Sequence, residues 1–321
     1  MVLESIIGEA NVRRHPVLIF LITFLVSVGG IIAAYQVFES YASVLATAFI
    51  TIGLVPIIHN IFAKEQYDEI MHRKSAATFF ARHFNVILIY VWIFIGVVFA
   101  FALVYSVSPP ELRTTIFSEQ INAFCSISNS ANCTNGVPNS IVANFGASAF
   151  DSCQNPGVSD VFSCSLYVFE NNIRVLIFVL ILSLLYGAGA IFIIVWNASI
   201  LGIFFGELFL MEAHIIWVGF LQSMLIGHGP PELLGYIFAA LAGTLLSAMI
   251  SRGTFLKSEL FIILKDVAFL TFLAFFSILY GAIVEAIGIL GLVDLHFILG
   301  FVYVLVIIVA VAVYGREKTV R

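Results

Sequence analysis

Eight stretches of this chain are apolar over about 20 residues or more, the length that an α-helix needs to cross the hydrocarbon core of a bilayer. They cover residues 17–38, 41–62, 84–107, 175–196, 198–226, 231–250, 267–290 and 295–314. Only 10% of all residues are charged and 61% are hydrophobic, whereas an average soluble domain is about 25% charged, so a soluble core is excluded. The sequence predicts an all-α, polytopic membrane helix bundle with about eight transmembrane helices.

The basic residues predict the orientation of the bundle, because cytoplasmic loops collect Lys and Arg. With the first end inside, 12 of the 14 Lys and Arg residues lie in inner segments, and only Arg113 and Arg174 fall outside. We therefore expect a multi-pass protein of the cell membrane with both termini in the cytoplasm. Its surroundings are the lipid bilayer, and no basic stripe predicts a nucleic acid partner.

Five segments follow from this topology. We expect an amphipathic interfacial segment at residues 1–16 and an amino-terminal three-span unit at 17–107. An extracytoplasmic loop follows at 108–170, then a carboxy-terminal five-span unit at 171–314 and a cytoplasmic tail at 315–321. The first apolar stretch is too long for the core of a removable export signal, so we expect it to be retained.

All four cysteines lie in the extracytoplasmic loop: Cys125, Cys133, Cys153 and Cys164. An exported segment meets an oxidising environment, so two disulfides are expected, with three possible connectivities. Pairing of neighbours is favoured, Cys125 with Cys133 and Cys153 with Cys164. A tetracysteine metal site is the alternative, but the separations of 8, 20 and 11 residues lack the close Cys-x-x-Cys pairs that such sites use.

The five-span unit concentrates polar residues at or between its apolar stretches. A carboxylate at the centre of a membrane helix costs about 2.5 to 3.5 kcal/mol on insertion scales, so it needs a partner, a proton or a water-filled cavity. The candidate polar intramembrane cluster comprises Asn171, Asn172, Asn197, Glu207, His214, His228, Glu232 and Glu285. Glu207 and His214 share a helix face and are expected to be neighbours. None of these residues is predicted to be catalytic, and no cofactor is predicted.

The sharpest local pattern is His228-Gly229-Pro230-Pro231-Glu232. Proline suits the first turn of a helix, so Glu232 is expected near a helix start, where a negative charge gains about 0.3 to 1 kcal/mol. A structural cap is the first interpretation. A metal site built on His228, Glu232 and His214 is the alternative, but no His-Glu-x-x-His pattern supports it and only one candidate pair has helical spacing.

Small residues at helical intervals predict close contacts between helices. They are Gly235, Ala239, Gly243 and Ser247 after Glu232, Gly281 and Gly288 beside Glu285, and Gly202 and Gly206 before Glu207. We expect a compact bundle in which Glu207 and Glu285 point inward towards polar partners.

Polar and small residues between positions 170 and 290 also follow a familiar order. They are Asn171-Asn172, Gly187 and Gly189, Asn197 and Gly202, His228-Gly229-x-x-Glu232-Leu233, Gly243, and Val284-Glu285-Ala286. This order resembles the stage II sporulation protein M (SpoIIM) family. The resemblance implies a multispan helical protein without an established catalytic activity, and it carries over Asn172, Asn197, His228, Glu232 and Glu285 as the family's polar set.

Members of that family in spore-forming bacteria work as membrane partners of cell-wall-degrading enzymes. Many relatives occur in organisms that never sporulate, so sporulation itself is not carried over. The first hypothesis is therefore a non-enzymatic membrane scaffold that self-associates and meets an extracytoplasmic, envelope-remodelling protein partner through its outer loop. The alternative is a permease or channel whose buried Asn, His and Glu residues line a solute, ion or proton path. An intramembrane metal-dependent hydrolase is the third.

Overall fold

The computed structural model describes residues 16–71, 79–128, 160–186, 189–210, 225–251 and 257–319, together with Cys153 and Ser223. Within these residues the structure is helical and contains no strand, so the predicted all-α class is confirmed. The chain divides into two compact units. Unit 1 comprises residues 1–56, 91–159 and 191–220, and unit 2 comprises residues 57–90, 160–190 and 221–321.

The described part of the chain contains ten α-helices. They are α1 (Pro16–Val37), α2 (Ala42–Met71), α3 (Phe79–Val107), α4 (Pro110–Ile116), α5 (Ser118–Ser128), α6 (Val161–Tyr186), α7 (Ala190–Leu210), α8 (Gly229–Ser251), α9 (Lys257–Ile289) and α10 (Val293–Thr319). Seven of them, α1 to α3 and α6 to α9, contain a stretch long and apolar enough to cross a membrane. The helix α10 is apolar over Val293–Val309. The predicted multi-pass helical bundle is thus confirmed.

The fourth and fifth membrane helices lie earlier in the sequence than hydropathy predicts. The helix α6 starts 14 residues before the predicted span at 175–196 and ends 10 residues before the end of that span. The helix α7 starts at Ala190, eight residues before the predicted span at 198–226. Hydropathy excluded the start of α6 because it carries charged side chains. In the structure, Arg174 pairs with Glu170 one turn away on the exposed side of α6, so the helix accommodates both charges.

In unit 1, small residues let α1, α3 and the start of α2 approach one another closely. A methyl group added to Gly30 would lie 2.8 Å from Cγ1 of Ile50, and one added to Gly96 would lie 2.9 Å from Cβ of Thr23. Both distances are shorter than ordinary van der Waals contact, so only glycine allows these helix contacts.

The pair Gly202 and Gly206 serves the same purpose between α7 and α3. Added methyl groups would lie 2.6 Å from Cβ of Phe101 and 2.9 Å from Cδ1 of Tyr105, respectively. The predicted GxxxG pattern therefore lies at a helix contact, and it brings the next residue, Glu207, beside α3.

In unit 2, α6, α8 and α9 pack against one another, and α10 packs against α8 and α9. The predicted small-residue stripe of α8 faces two helices. Gly235 lies against α9, where an added methyl group would lie 2.8 Å from Cδ1 of Ile278. Gly243 lies against α6, where a methyl group would lie 2.9 Å from the carbonyl oxygen of Leu180. Polar side chains on these three helices are consequently brought within hydrogen-bonding distance.

Candidate functional site

Seven side chains form a polar cluster in unit 2, called here the unit 2 cluster. They are Asn172 from α6, Ser223 and His228 from the segment before α8, Glu232 and Tyr236 from α8, Glu285 from α9 and His296 from α10. Three of them form its centre, because one potential ligand atom from each of His228, Glu232 and Glu285 lies within 4.8 Å of the other two. The structure thus brings together Asn172, His228, Glu232 and Glu285 from the set predicted by the sequence.

The start of α8 places two of these residues. Its first turn contains both prolines and Glu232, and the Glu232 N–H donates to the carbonyl oxygen of His228 at 3.3 Å. Proline is tolerated in a first helical turn because the N–H groups there have no intrahelical acceptor. The carboxyl group of Glu232 meets side chains of α6 and α9, so it links helices, whereas the sequence interpretation made it a cap of its own helix.

Asn172 fixes one oxygen of Glu232. Its amide nitrogen donates to Oε1 of Glu232 at 2.9 Å, and its amide oxygen accepts a hydrogen bond from the Tyr236 hydroxyl at 3.1 Å. Because a hydroxyl donates to the oxygen and not to the nitrogen of an amide, Tyr236 determines which end of Asn172 faces the carboxyl group. Asn172 and Tyr236 are both buried.

The carboxyl groups of Glu232 and Glu285 face each other, with one oxygen of each within 4.8 Å of the other. Gly281 makes this contact possible, since a methyl group there would lie 2.8 Å from Cγ of Glu232. Two carboxylates in such contact repel each other when both are ionised, so the arrangement needs a shared proton or a cation.

The two histidines are joined through Ser223. Its hydroxyl oxygen lies 3.1 Å from Nδ1 of His228 and 3.2 Å from Nε2 of His296, and Nδ1 of His296 lies 2.8 Å from the carbonyl oxygen of Val284. If both rings are neutral, Nδ1 of His296 must carry the proton, because it donates to the Val284 carbonyl oxygen. Nε2 of His296 then accepts the hydrogen bond from the Ser223 hydroxyl. Ser223 then accepts from Nδ1–H of His228, which leaves a lone pair on Nε2 of His228.

Burial favours the neutral form of His228. It lowers the pKa of this imidazole below its ordinary value, the negative charge of Glu285 acts in the opposite direction, and the nearby His296 lowers the pKa further. The ring centroids of the two histidines are 5.7 Å apart. A neutral His228 agrees with the hydrogen-bond chain through Ser223, in which Nδ1 of this ring carries the proton.

A tight connection between α9 and α10 brings His296 into the unit 2 cluster. Gly291 has a φ of 82°, and the N–H groups of Gly291 and Leu292 donate to the carbonyl groups of Gly288 and Ile287 at 3.1 Å each. This pair of bonds is the Schellman ending of a helix, for which glycine is favoured because L side chains rarely adopt a positive φ.

Glu207 has its own partner in unit 1. The Tyr105 hydroxyl donates to Oε2 of Glu207 at 2.7 Å, and both residues are buried. The guanidinium carbon of Arg113 lies 5.2 Å from the centre of the Tyr105 ring, while Arg113 Nε donates to the carbonyl groups of Tyr105 and Ser108. The end of α3 is therefore held by a cation that also stacks on the partner of Glu207.

The remaining predicted positions have other surroundings. Asn197 donates to the carbonyl oxygen of Ile193 in its own helix at 2.8 Å, and Asn171 is exposed. His214 lies outside the described residues, as does its expected contact with Glu207. Cys153 and Cys164 form the predicted disulfide, whereas Cys133 and the side chain of Cys125 lie outside the described part.

Sequence reasoning missed four polar participants, which are Tyr105, Ser223, Tyr236 and His296. Tyr236 follows Glu232 by one helical turn, so its position on the same face is a signal that could have found it. The other three carry no such signal, because Tyr105 meets Glu207 on another helix and Ser223 meets His296 across 73 positions of the sequence.

A comparison with known protein families matches a part of the chain that includes most of the unit 2 cluster. The model of the family described as stage II sporulation protein M matches residues 92–288. This range is well over half of the 321 residues, and it starts within α3, earlier than the resemblance at 170–290 indicated. It includes Asn172, His228, Glu232 and Glu285 but ends before His296. No curated protein and no solved structure matches the chain.

Proposed function

The chain belongs to the stage II sporulation protein M family of membrane proteins, and we propose that it works as a non-enzymatic membrane scaffold. The observation that carries this proposal is the way in which Asn172 ties α6 to α8. The amide group of Asn172 is hydrogen-bonded to two side chains of α8, Glu232 and Tyr236. Polar residues of α6 and α8 therefore contact each other where the two helices pack. A scaffold requires this rigidity, since it must hold a fixed surface towards its partners.

The closely packed glycines add to this support. Gly235 and Gly243 bring α8 against α9 and α6 at distances that exclude any side chain. Helix association in lipid depends on such packing and on interhelical hydrogen bonds that contribute roughly 0.6 kcal/mol each on average. The interior of unit 2 thus combines both sources of stability for membrane helices.

The proposed scaffold has both termini in the cytoplasm and segment 108–170 outside, where it meets a protein partner. Two observations support this orientation: the distribution of Lys and Arg, and the disulfide between Cys153 and Cys164. Disulfides persist in oxidising compartments outside the cytoplasm. In intact cells treated with a reductant, a membrane-impermeant maleimide should label Cys153 and Cys164, and labelling only after cell lysis contradicts this orientation.

The scaffold and the permease differ in what they do to a sealed membrane. Liposomes containing the protein, loaded with a pH-sensitive dye and given a proton or K⁺ gradient, should remain as tight as protein-free liposomes. A flux that Glu285→Gln abolishes without changing the unfolding temperature overturns the scaffold. The mass of the protein in lipid nanodiscs tests the proposed self-association, which requires more than one copy per disc.

A permease is the second candidate, because the paired carboxyl groups of Glu232 and Glu285 beside His228 are the groups that proton paths use. The liposome experiment decides between the two. If the protein is a permease, the Glu285 carboxyl group serves to transfer protons and not to hold the fold. The Glu285→Gln variant should then be well folded.

A further inference from the structure

The carboxyl pair at the centre of the unit 2 cluster needs a positive charge. Among the described residues, no Lys or Arg pairs with Glu232 or Glu285. Arg174 pairs with Glu170, and Lys265 precedes Glu285 on α9 by 20 residues, roughly 30 Å along a helix. A shared proton removes one of the two carboxylate charges, whereas a divalent cation balances both.

The donor atoms have the chemistry of a metal site. An imidazole nitrogen together with carboxylate oxygens suits Zn²⁺, which takes three protein ligands in open sites and four in closed ones. Ligand atoms around a tetrahedral zinc ion lie roughly 3.4 Å apart at bond lengths of about 2.1 Å. The potential ligand atoms of His228, Glu232 and Glu285 lie within 4.8 Å of one another, so each separation needs to shorten by at most about 1.4 Å to close around an ion.

The surrounding hydrogen bonds already orient two of these donors. The Ser223 hydroxyl lies 3.1 Å from Nδ1 of His228, so the lone pair of that ring on Nε2 is the one available to a metal ion. The amide nitrogen of Asn172 is hydrogen-bonded to Oε1 of Glu232. Metal-bound histidines and carboxylates are typically held by such outer hydrogen bonds, which set the tautomer and the direction of the lone pair. These contacts are independent of the distances among the three donors.

We propose that His228, Glu232 and Glu285 bind one divalent transition-metal ion, with Zn²⁺ as the ion that this donor set fits. The ion joins the start of α8 to the end of α9, and it supplies the charge that the two carboxylates require. The inference does not depend on the scaffold function, because an ion that joins two helices suits a scaffold and a permease equally. The hydrolase hypothesis, in contrast, requires it.

The test uses the full chain, purified through a tag without histidine, stripped with a chelator and titrated with ZnCl₂ against a competing dye. We expect one zinc ion per chain, a loss of this binding in His228→Ala and Glu285→Gln, and affinity about 10- to 100-fold weaker in Asn172→Ala. Glu207→Gln is the matched control, since it alters a buried glutamate with a different partner and should bind zinc as the wild type does.

Glu285→Gln keeps the size of the side chain, and its circular dichroism spectrum shows whether it folds. Zinc should also raise the unfolding temperature of the wild type and of Glu207→Gln but leave that of Glu285→Gln unchanged. A wild type that binds less than one equivalent of zinc overturns the proposal. So does a folded Glu285→Gln that binds zinc as tightly as the wild type, because the carboxyl pair then carries only a shared proton.

Discussion

The amide nitrogen of Asn172 donates to Oε1 of Glu232 at 2.9 Å, although the two residues are 60 positions apart in the sequence. The adjacent Asn171 is exposed. One asparagine of the pair thus joins two membrane helices, and its neighbour provides a control at the same depth of α6.

Asn172→Ala should destabilise the protein, because it leaves the Glu232 carboxyl group and the Tyr236 hydroxyl without their partner. Loss of a partner for a buried polar group costs about 1 to 3 kcal/mol. The unfolding temperature in detergent should fall for Asn172→Ala and stay close to the wild-type value for Asn171→Ala. Equal effects of both substitutions contradict the structural role of Asn172.

Tyr105→Phe should also lower stability, since it removes only the hydroxyl that donates to Glu207. The expected loss is again about 1 to 3 kcal/mol, because the buried carboxyl group is left unsatisfied. Tyr167 is exposed on α6, so Tyr167→Phe is the matched control with the same chemical change. The prediction fails if guanidinium or thermal unfolding shows the same midpoint for Tyr105→Phe as for the control.

Gly243→Ala should destabilise unit 2 by about 1 to 3 kcal/mol, the range for overpacked sites. The added methyl group would lie 2.9 Å from the Leu180 carbonyl oxygen and 3.1 Å from the Leu184 nitrogen, which are backbone atoms and cannot move aside alone. Gly29→Ala has nothing within 4 Å of the new methyl group, so its helix propensity should make it neutral or stabilising. Comparable unfolding temperatures for the two variants rule out the tight contact.

The protein's stability should depend on acid pH through Asp160, the residue directly before α6. Its carboxylate accepts from the Ser163 N–H at 2.7 Å, and this bond lowers the pKa of Asp160 below its ordinary value. A carboxylate with a depressed pKa stabilises the folded state above its unfolded pKa, and the stabilisation disappears as the pH falls through its folded pKa. The stability difference between the wild type and Asp160→Asn should therefore shrink below about pH 4. A difference that is constant from pH 6 to pH 3 contradicts this assignment.

Local patterns in the sequence predicted the features that depend on one helix at a time. Apolar length identified the bundle, and the prolines beside His228 placed the start of α8. The start of α6 was missed because hydropathy treats Glu170 and Arg174 as two isolated charges, whereas the helix pairs them. Contacts such as Tyr105 with Glu207 depend on which helices are adjacent, and a single sequence contains no information on adjacency.

The turn at Gly291 between α9 and α10 limits the insertions and deletions that related chains can accept there. Only three residues separate the end of α9 at Ile289 from the start of α10 at Val293. Inserting one residue into the first turn of α10 would rotate the following side chains by about 100° around the helix axis. His296 would then leave Ser223, so homologues that retain this histidine should show no insertion or deletion in the first turn of α10.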